Sequence, residues 1–210
     1  MIEIKNLKKS FDDKILFQDF NYTIPDKQMV AIVGKSGCGK TTLLNMIGLL
    51  DNEYIGEILF DSQNIALEKE KTRNEYIRNH INYLFQNYAL IDTDNVMDNL
   101  LLALEYEKYT KEEKKQKIND ILKLVGLENY QDKKVYTLSG GEQQRVALAR
   151  VILKKGNIVL ADEPTGNLDE ENSNQVMEIL RSLQKAGKTV ILVTHNKELA
   201  KQCDCILELK

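Results

Sequence analysis

The clearest evidence for the architecture of this chain is the sequence Gln28-Met-Val-Ala-Ile-Val-Gly34-Lys-Ser-Gly-Cys-Gly-Lys-Thr41. Its first half is a short apolar run with the character of a buried strand. Its second half fits G-x-x-x-x-G-K-[ST], a pattern in which glycines turn the chain tightly between a strand and a helix. The helix is expected to begin near Lys40, because apolar residues follow at helical spacing at Leu43, Leu44, Ile47 and Leu50.

A turn of this kind binds anions. Its backbone N–H groups point into one concavity, and the following helix adds the positive end of its dipole. Lys40 supplies a full charge for the β- and γ-phosphates of a nucleotide, and the Thr41 hydroxyl is a hard oxygen ligand for Mg²⁺. The residues expected to contact the phosphates are Gly34, Lys35, Ser36, Gly37, Cys38, Gly39, Lys40, Thr41 and Thr42.

A second part of the same site is expected at the end of the run Ile158-Val-Leu-Ala-Asp162-Glu163. Ligands of open α/β sheets bind at the carboxyl ends of the strands, where these two carboxylates emerge. We expect Asp162 to hold Mg²⁺ through water and Glu163 to orient and polarise an attacking water. Taken alone, Asp-Glu-Pro could also begin a helix, but the phosphate turn favours the catalytic interpretation.

The rest of the chain alternates between strand and helix patterns. Runs at 156–161 and 188–194 predict buried strands, and an apolar helix face precedes Gly187. In the opening third, Ile2 and Ile4 alternate with polar neighbours. From about Asp94 to Leu138 the chain is charged and helical, with a capping box at Thr110 and Glu113. Period-two spacing predicts one strand face formed by Leu16, Phe20, Tyr22 and Ile24.

Composition limits the function. The 210 residues carry a net charge of −3, which argues against a nucleic-acid partner. No apolar run reaches the roughly 18 residues of a membrane span, so direct membrane insertion is not expected. The first residues lack the pattern of a signal peptide, which favours the cytosol. The three cysteines and two histidines indicate neither a disulfide framework nor a zinc site.

The string Leu138-Ser-Gly-Gly-Glu-Gln-Gln-Arg145 resembles the signature sequence of ATP-binding cassette (ABC) proteins. Ser139 can cap a helix that continues to Lys155, and two bare glycine amides make its start a second anion-binding site. The resemblance extends from residue 1 to about 209 and implies one domain over 1–210. It implies a P-loop NTPase (RecA-like) α/β core with an N-terminal antiparallel β subdomain and an α-helical subdomain inserted at about 87–155.

The same resemblance implies further site residues. Gln86 is similar to the glutamine that touches Mg²⁺ and water, and His195 to the histidine that contacts the γ-phosphate. Asp169 is similar to an aspartate at the dimer interface. Phe11 stands where the family usually has a tyrosine that stacks on adenine. The residues implied to contact the ATP held by a second copy of the chain are Ser139, Gly140, Gly141, Glu142 and Gln143.

Two stretches narrow the resemblance further. Residues 162–169 and 76–86 are similar to the macrolide-exporter and lipoprotein-release branch of bacterial ABC ATPases, and residues 83–91 are most like bacteriocin-export ATPases. The implied protein is an ATP- and Mg²⁺-dependent homodimeric motor of a peptide exporter or of an exporter of another hydrophobic cargo. It would lie on the inner face of the membrane, held by a separate permease. The alternative is a nucleotide switch on a membrane partner, as in the division machinery.

Overall fold

The computed structural model describes residues 1–11, 14–166 and 168–210. Strands take up the first part of the chain and then alternate with helices. In chain order, the strands of the described residues are β1 (Ile2–Phe11), β2 (Lys14–Ile24), β3 (Met29–Gly34), β4 (Ile55–Phe60), β5 (Ile81–Leu84), β6 (Ile158–Asp162), β7 (Thr189–Val193) and β8 (Cys205–Leu209).

The α-helices fall between and after these strands. Within the part of the chain that is described, none is long and apolar enough to cross a membrane. In chain order they are α1 (Lys40–Ile47), α2 (Glu70–His80), α3 (Val96–Leu101), α4 (Lys111–Leu124), α5 (Gly140–Leu153), α6 (Glu170–Lys185) and α7 (Lys197–Ala200).

A five-stranded sheet has the order β5-β6-β7-β3-β8. Strand β7 pairs in parallel with β6 on one side and with β3 on the other, and β3 also pairs in parallel with β8. Every residue of β6 and β7 is buried, which explains why their sequences are continuous apolar runs rather than alternating ones. The predicted parallel α/β core is confirmed.

A three-stranded antiparallel sheet has the order β2-β1-β4, which confirms the predicted N-terminal antiparallel sheet. The predicted face of β2 is wrong in one respect, because Phe17 is buried while Leu16 is only partly so. The β1–β2 register shifts around Lys9, and Asp19 has a left-handed φ of 53°. These bulges break the period of two and bring the ring of Phe17 to 5.3 Å from that of Phe20, centroid to centroid.

The chain divides into two compact units. Unit 1 comprises Met1–Tyr83, Gly156–Asp162 and Gln184–Lys210, and unit 2 comprises Leu84–Lys155 and Glu163–Leu183. Unit 2 therefore takes in most of α6 as well as the segment expected as a helical insert. Its apolar core is built from the helices of that segment and the turns between them, with fully buried side chains at Val96, Leu100, Ile118, Leu127, Val146 and Ala149.

Several predicted boundaries shift by up to three residues. Helix α1 begins at Lys40 as predicted but ends at Ile47, so Leu50 lies outside it and is 50 % exposed. Helix α5 ends at Leu153 rather than Lys155. The capping box at Thr110 is confirmed, because the Thr110 side chain and the Glu113 side chain each accept from the other residue's backbone N–H.

The substitution F17A tests whether Phe17 of β2 is packed in the core. F17A should lower the free energy of unfolding by about 3–5 kcal/mol, because a 5 % exposed aromatic side chain would be replaced by a cavity. I15A is the matched control on the same strand, where the side chain is 63 % exposed, and it should have little effect. Urea denaturation of both variants measures the difference, and equal stabilities would contradict the packing described here.

Candidate functional site

The glycine-rich turn of unit 1 joins β3 to α1 in the predicted way. Gly37 and Gly39 have φ values of 74° and 98°, in the left-handed region that glycine adopts without strain. A Cβ atom added at Gly39 would also lie 3.0 Å from the Phe17 ring. The antiparallel sheet thus packs directly against the turn, and the left-handed φ together with this close contact favours glycine at position 39.

Two lysine side chains bind the carbonyl groups of this turn. The Lys40 ammonium donates to the carbonyl oxygens of Gly34 and Lys35, each at 3.0 Å. The Lys14 ammonium donates to the carbonyl of Gly37 at 2.8 Å. Lys14 was not among the predicted site residues, because its contact joins residues 23 positions apart and follows no motif.

Thr41 and Asp162 come together at the carboxyl end of the parallel sheet. The Thr41 hydroxyl donates to the Asp162 carboxylate with an oxygen–oxygen distance of 3.1 Å. Asp162 is the last residue of β6 and is only 5 % exposed. A hydroxyl and a carboxylate are the hard oxygen ligands that Mg²⁺ takes beside the phosphates of a nucleotide. Among the described residues, no group of three or more His, Cys, Asp or Glu side chains forms an independent metal site.

His195 lies at the same end of the sheet. It lies two residues after the end of β7, and the N–H of the intervening Thr194 donates to the Ile32 carbonyl of β3 at 3.1 Å. The Thr194 hydroxyl accepts from the N–H of Asn196 at 3.0 Å, and Asn196 caps the short helix α7. These bonds fix the backbone on both sides of His195, whose side chain is exposed.

Phe11 ends β1 with its ring 51 % exposed, so it is not a core residue. The ammonium of Lys9 lies 4.8 Å from the centre of that ring. Lys9 itself is 6 % exposed and is held by the Asp51 carboxylate at 2.8 Å and by the Glu53 carbonyl at 2.6 Å. The ring therefore rests on a fixed buried cation, a favourable cation–π arrangement.

In unit 2, the signature string begins α5 with a full capping box. The Ser139 hydroxyl accepts from the Glu142 N–H at 3.3 Å, and the Glu142 carboxylate accepts from the Ser139 N–H at 2.7 Å. The Tyr130 hydroxyl donates to the other carboxylate oxygen of Glu142 at 2.7 Å. The hydrogen bonds from Tyr130 and from Ser139 lower the pKa of Glu142 to about 2, so this carboxylate stays ionised.

The same helix is connected to Asp169. The Asp169 carboxylate accepts from the backbone N–H of Asn172 at 2.8 Å and from its side-chain amide at 2.9 Å. Arg145 of α5 in turn donates to the Asn172 side-chain oxygen at 2.8 Å. The hydrogen bonds from Asn172 hold the pKa of Asp169 below its usual value. Asn167, two positions before Asp169 in the sequence, lies outside the described residues.

Gln86 is exposed and precedes a constrained turn of unit 2. Tyr88 and Ala89 both have left-handed φ values, 64° and 48°. The Arg150 guanidinium of α5 donates to the carbonyls of both, at 2.6 and 2.5 Å. Such backbone strain in non-glycine residues persists only where the surroundings enforce it, and here the enforcing group is Arg150. This arginine was not among the predicted site residues.

Glu163 follows Asp162 in the chain and also has a left-handed φ, of 46°. Its carbonyl accepts from the Gly166 N–H at 3.1 Å, which closes a tight turn after β6. The predicted site residues thus fall into two groups. Unit 1 contains Phe11, the turn from Gly34 to Thr42, Asp162 and His195, and unit 2 contains Gln86, Ser139 to Gln143, Glu163 and Asp169.

The chain is similar in sequence to known ATP-binding proteins of transporters. The family model described as "ABC transporter" matches residues 17–166. The macrolide export ATP-binding/permease protein MacB of Campylobacter fetus is 39 % identical over the whole chain, which spans 33 % of that protein's length. The ABC transporter ATP-binding protein YxdL of Bacillus subtilis is 34 % identical, and the chain covers 83 % of it.

One solved structure has the same fold as this chain. It is the dimeric post-hydrolysis state of the ATP-binding cassette MJ0796 bound to ADP and phosphate, with a TM-score of 0.91 and 33 % identity over 100 % of this chain and 94 % of that one. These relatives confirm the resemblance to the macrolide-exporter branch. Together with the glycine-rich turn and the signature helix, these matches show that the chain belongs to the ABC transporter family, as an ATP-binding cassette.

Proposed function

We propose that this chain is the ATP-hydrolysing motor subunit of a bacterial exporter. The observation that carries the proposal is the 3.1 Å contact between the Thr41 hydroxyl and the Asp162 carboxylate beside the glycine-rich turn. It joins the two oxygen ligands expected for the metal ion of a bound nucleotide to the turn that would hold the phosphates. His195 lies at the same end of the sheet, on the backbone that follows β7.

ATP binding would change the hydrogen-bond acceptors of the Lys40 ammonium. The Lys40 ammonium now donates to two carbonyl oxygens of the turn, and phosphate oxygens would replace them. The new bonds join two charged groups and are stronger than the bonds that they replace. Thr41 and Asp162 would hold Mg²⁺, with Gln86 as a further ligand, and the ion would neutralise charge that develops on the phosphates.

Hydrolysis would depend on positioning. Glu163 beside a metal ion is a weak base, but the loose transition state of phosphoryl transfer needs an oriented water more than early proton removal. The left-handed backbone at Glu163 turns the chain sharply after β6, which supports a role in aiming this carboxylate. We assign the orientation of the water to Glu163 and the contact with the γ-phosphate to His195.

Two copies of the chain would share two nucleotides. One chain carries one phosphate turn and one signature helix start, and a two-fold pair would place each turn opposite the other copy's signature. The dimeric MJ0796 cassette supports this assembly. ATP would stabilise the closed pair, and its hydrolysis would loosen it. Asp169, linked to α5 through Asn172, would lie at the interface between the copies.

The pair would act on a separate membrane permease, which would hold it at the inner face of the membrane. MacB is named as an ATP-binding and permease protein, and this chain spans 33 % of it. YxdL, a relative of similar length, is named as an ATP-binding protein. Both names support a cassette that works with a membrane-spanning part. We propose export of a peptide, such as a bacteriocin, or of another hydrophobic cargo.

K40A tests the phosphate site. Removal of the ammonium should weaken Mg-ATP binding roughly 10- to 100-fold, the range of a charged hydrogen bond of about 1.5–3 kcal/mol. Isothermal titration calorimetry measures the dissociation constant, and K123A on the exposed side of α4 is the charge-matched control. An unchanged constant for K40A would contradict the site.

E163Q separates binding from hydrolysis. It should still bind Mg-ATP but lose about 10²- to 10⁴-fold in turnover, the span of a positioned acid–base group. Phosphate release measures turnover, with E178Q on α6 as the control. Without nucleotide the protein should elute as a monomer in size-exclusion chromatography, and E163Q with ATP should elute as a dimer. Normal turnover in E163Q would exclude Glu163 from the reaction.

F11A tests the adenine contact. Loss of stacking should weaken ATP binding about 5- to 100-fold, the equivalent of 1–3 kcal/mol, while inorganic tripolyphosphate should bind as before because it has no base. F11Y keeps the aromatic face and should bind ATP like the parent. If F11A changed the affinities for ATP and tripolyphosphate equally, Phe11 would act through the fold and not through the base.

A further inference from the structure

The hydroxyl of Ser139 has one proton, and in this structure that proton goes to a carboxylate. The Ser139 hydroxyl oxygen lies 2.9 Å from Oε2 of Glu142 and donates to it. An ionised carboxylate has no proton to give, so the hydrogen in this bond can come only from the serine. The hydroxyl also accepts from the Glu142 N–H at 3.3 Å, so Glu142 engages it both as donor and as acceptor.

A triphosphate presents the same kind of acceptor. Phosphate oxygens are anionic and accept hydrogen bonds, so a serine that binds one must donate its hydroxyl proton to it. We propose that Glu142 is an internal competitor for the Ser139 proton, and that the closed ATP dimer forms only when the partner's nucleotide displaces this carboxylate. The inference rests on the proposed function, because it assumes that Ser139 faces a nucleotide held by a second copy of the chain.

The competing carboxylate is held in place from both sides. Oε1 of Glu142 accepts from the Tyr130 hydroxyl at 2.7 Å, and Oε2 accepts from the Ser139 backbone N–H at 2.7 Å. The Lys133 ammonium lies 3.4 Å from the centre of the Tyr130 ring. Tyr130 is therefore a positioning residue, which keeps the carboxylate next to the serine. The arrangement makes Glu142 a strong, preorganised acceptor rather than a mobile surface charge.

An ordinary helix cap would predict the opposite effect of removing Glu142. If the carboxylate served only to order the start of α5, its loss should loosen Ser139 and weaken the ATP dimer. If it competes for the proton, its loss should strengthen the dimer. The chain offers a matched control, because Thr110 and Glu113 form the same capping box on α4, a helix that carries none of the predicted site residues.

The test is the ATP concentration at which half of the protein is dimeric, measured by sedimentation velocity in the E163Q background. E142Q keeps a side-chain carbonyl that can accept from the Ser139 N–H, but it is a weaker acceptor for the hydroxyl proton. The midpoint should fall on the order of tenfold, the difference between a charged and a neutral hydrogen bond. E113Q in the same background should leave the midpoint unchanged, and thermal unfolding shows whether each variant is folded.

A second pair of variants separates proton competition from simple charge removal. In an S139A background there is no proton to compete for, so E142Q should no longer lower the midpoint. A tenfold gain that persists without the serine hydroxyl would overturn the proposal, as would an equal or higher midpoint for E142Q with Ser139 present. Failure of the E163Q parent itself to dimerise would instead count against the shared nucleotide site.

Discussion

Hydrogen bonds between three neighbouring parallel strands hold the unit 1 site together. Val193 of β7 pairs with Asp162 of β6 on one side and with Ile32 of β3 on the other. This register places the end of β6, the turn after β3 and His195 at one edge of the sheet. A slip of one residue would move the Asp162 side chain to the opposite face of the sheet and remove its contact with Thr41. The chemistry at the edge thus depends on how the buried strands are paired.

Most of this architecture could be predicted from the sequence. The apolar runs of β3, β6 and β7 were located to within two residues, because strands buried on both faces have no alternation to misinterpret. The face of β2 was predicted wrongly at Phe17. Period-two counting assumes an unbroken pleat, and the bulges and the left-handed Asp19 that break it depend on pairing with a distant strand.

The site residues also divide into those that the sequence predicts and those that it does not. The phosphate turn, Asp162 and the Ser139 helix cap follow from local spacing, because their residues are close in sequence or end predicted strands. Lys14, Tyr130 and Arg150 could not be predicted. Their contacts span 23, 12 and 61 or 62 residues, and no local pattern specifies which backbone carbonyl or carboxylate they will meet. What the sequence leaves undetermined is mainly how the predicted groups are held.

The hydrogen bonds that hold the site residues in place also affect the free energy of nucleotide binding. Lys40 donates to two carbonyls of its own turn and Ser139 donates to Glu142, so both donors are already hydrogen-bonded before a ligand binds. Each contact with a phosphate must therefore replace an existing bond, and the net gain is the difference between the two. For Lys40 the replaced acceptors are neutral carbonyls, so an anionic phosphate has a clear advantage. For Ser139 the replaced acceptor is itself an anion, and the advantage is much smaller. This asymmetry would make the phosphate turn bind nucleotide tightly while the signature helix adds little until a second copy closes over it, so that binding and closure remain separate steps.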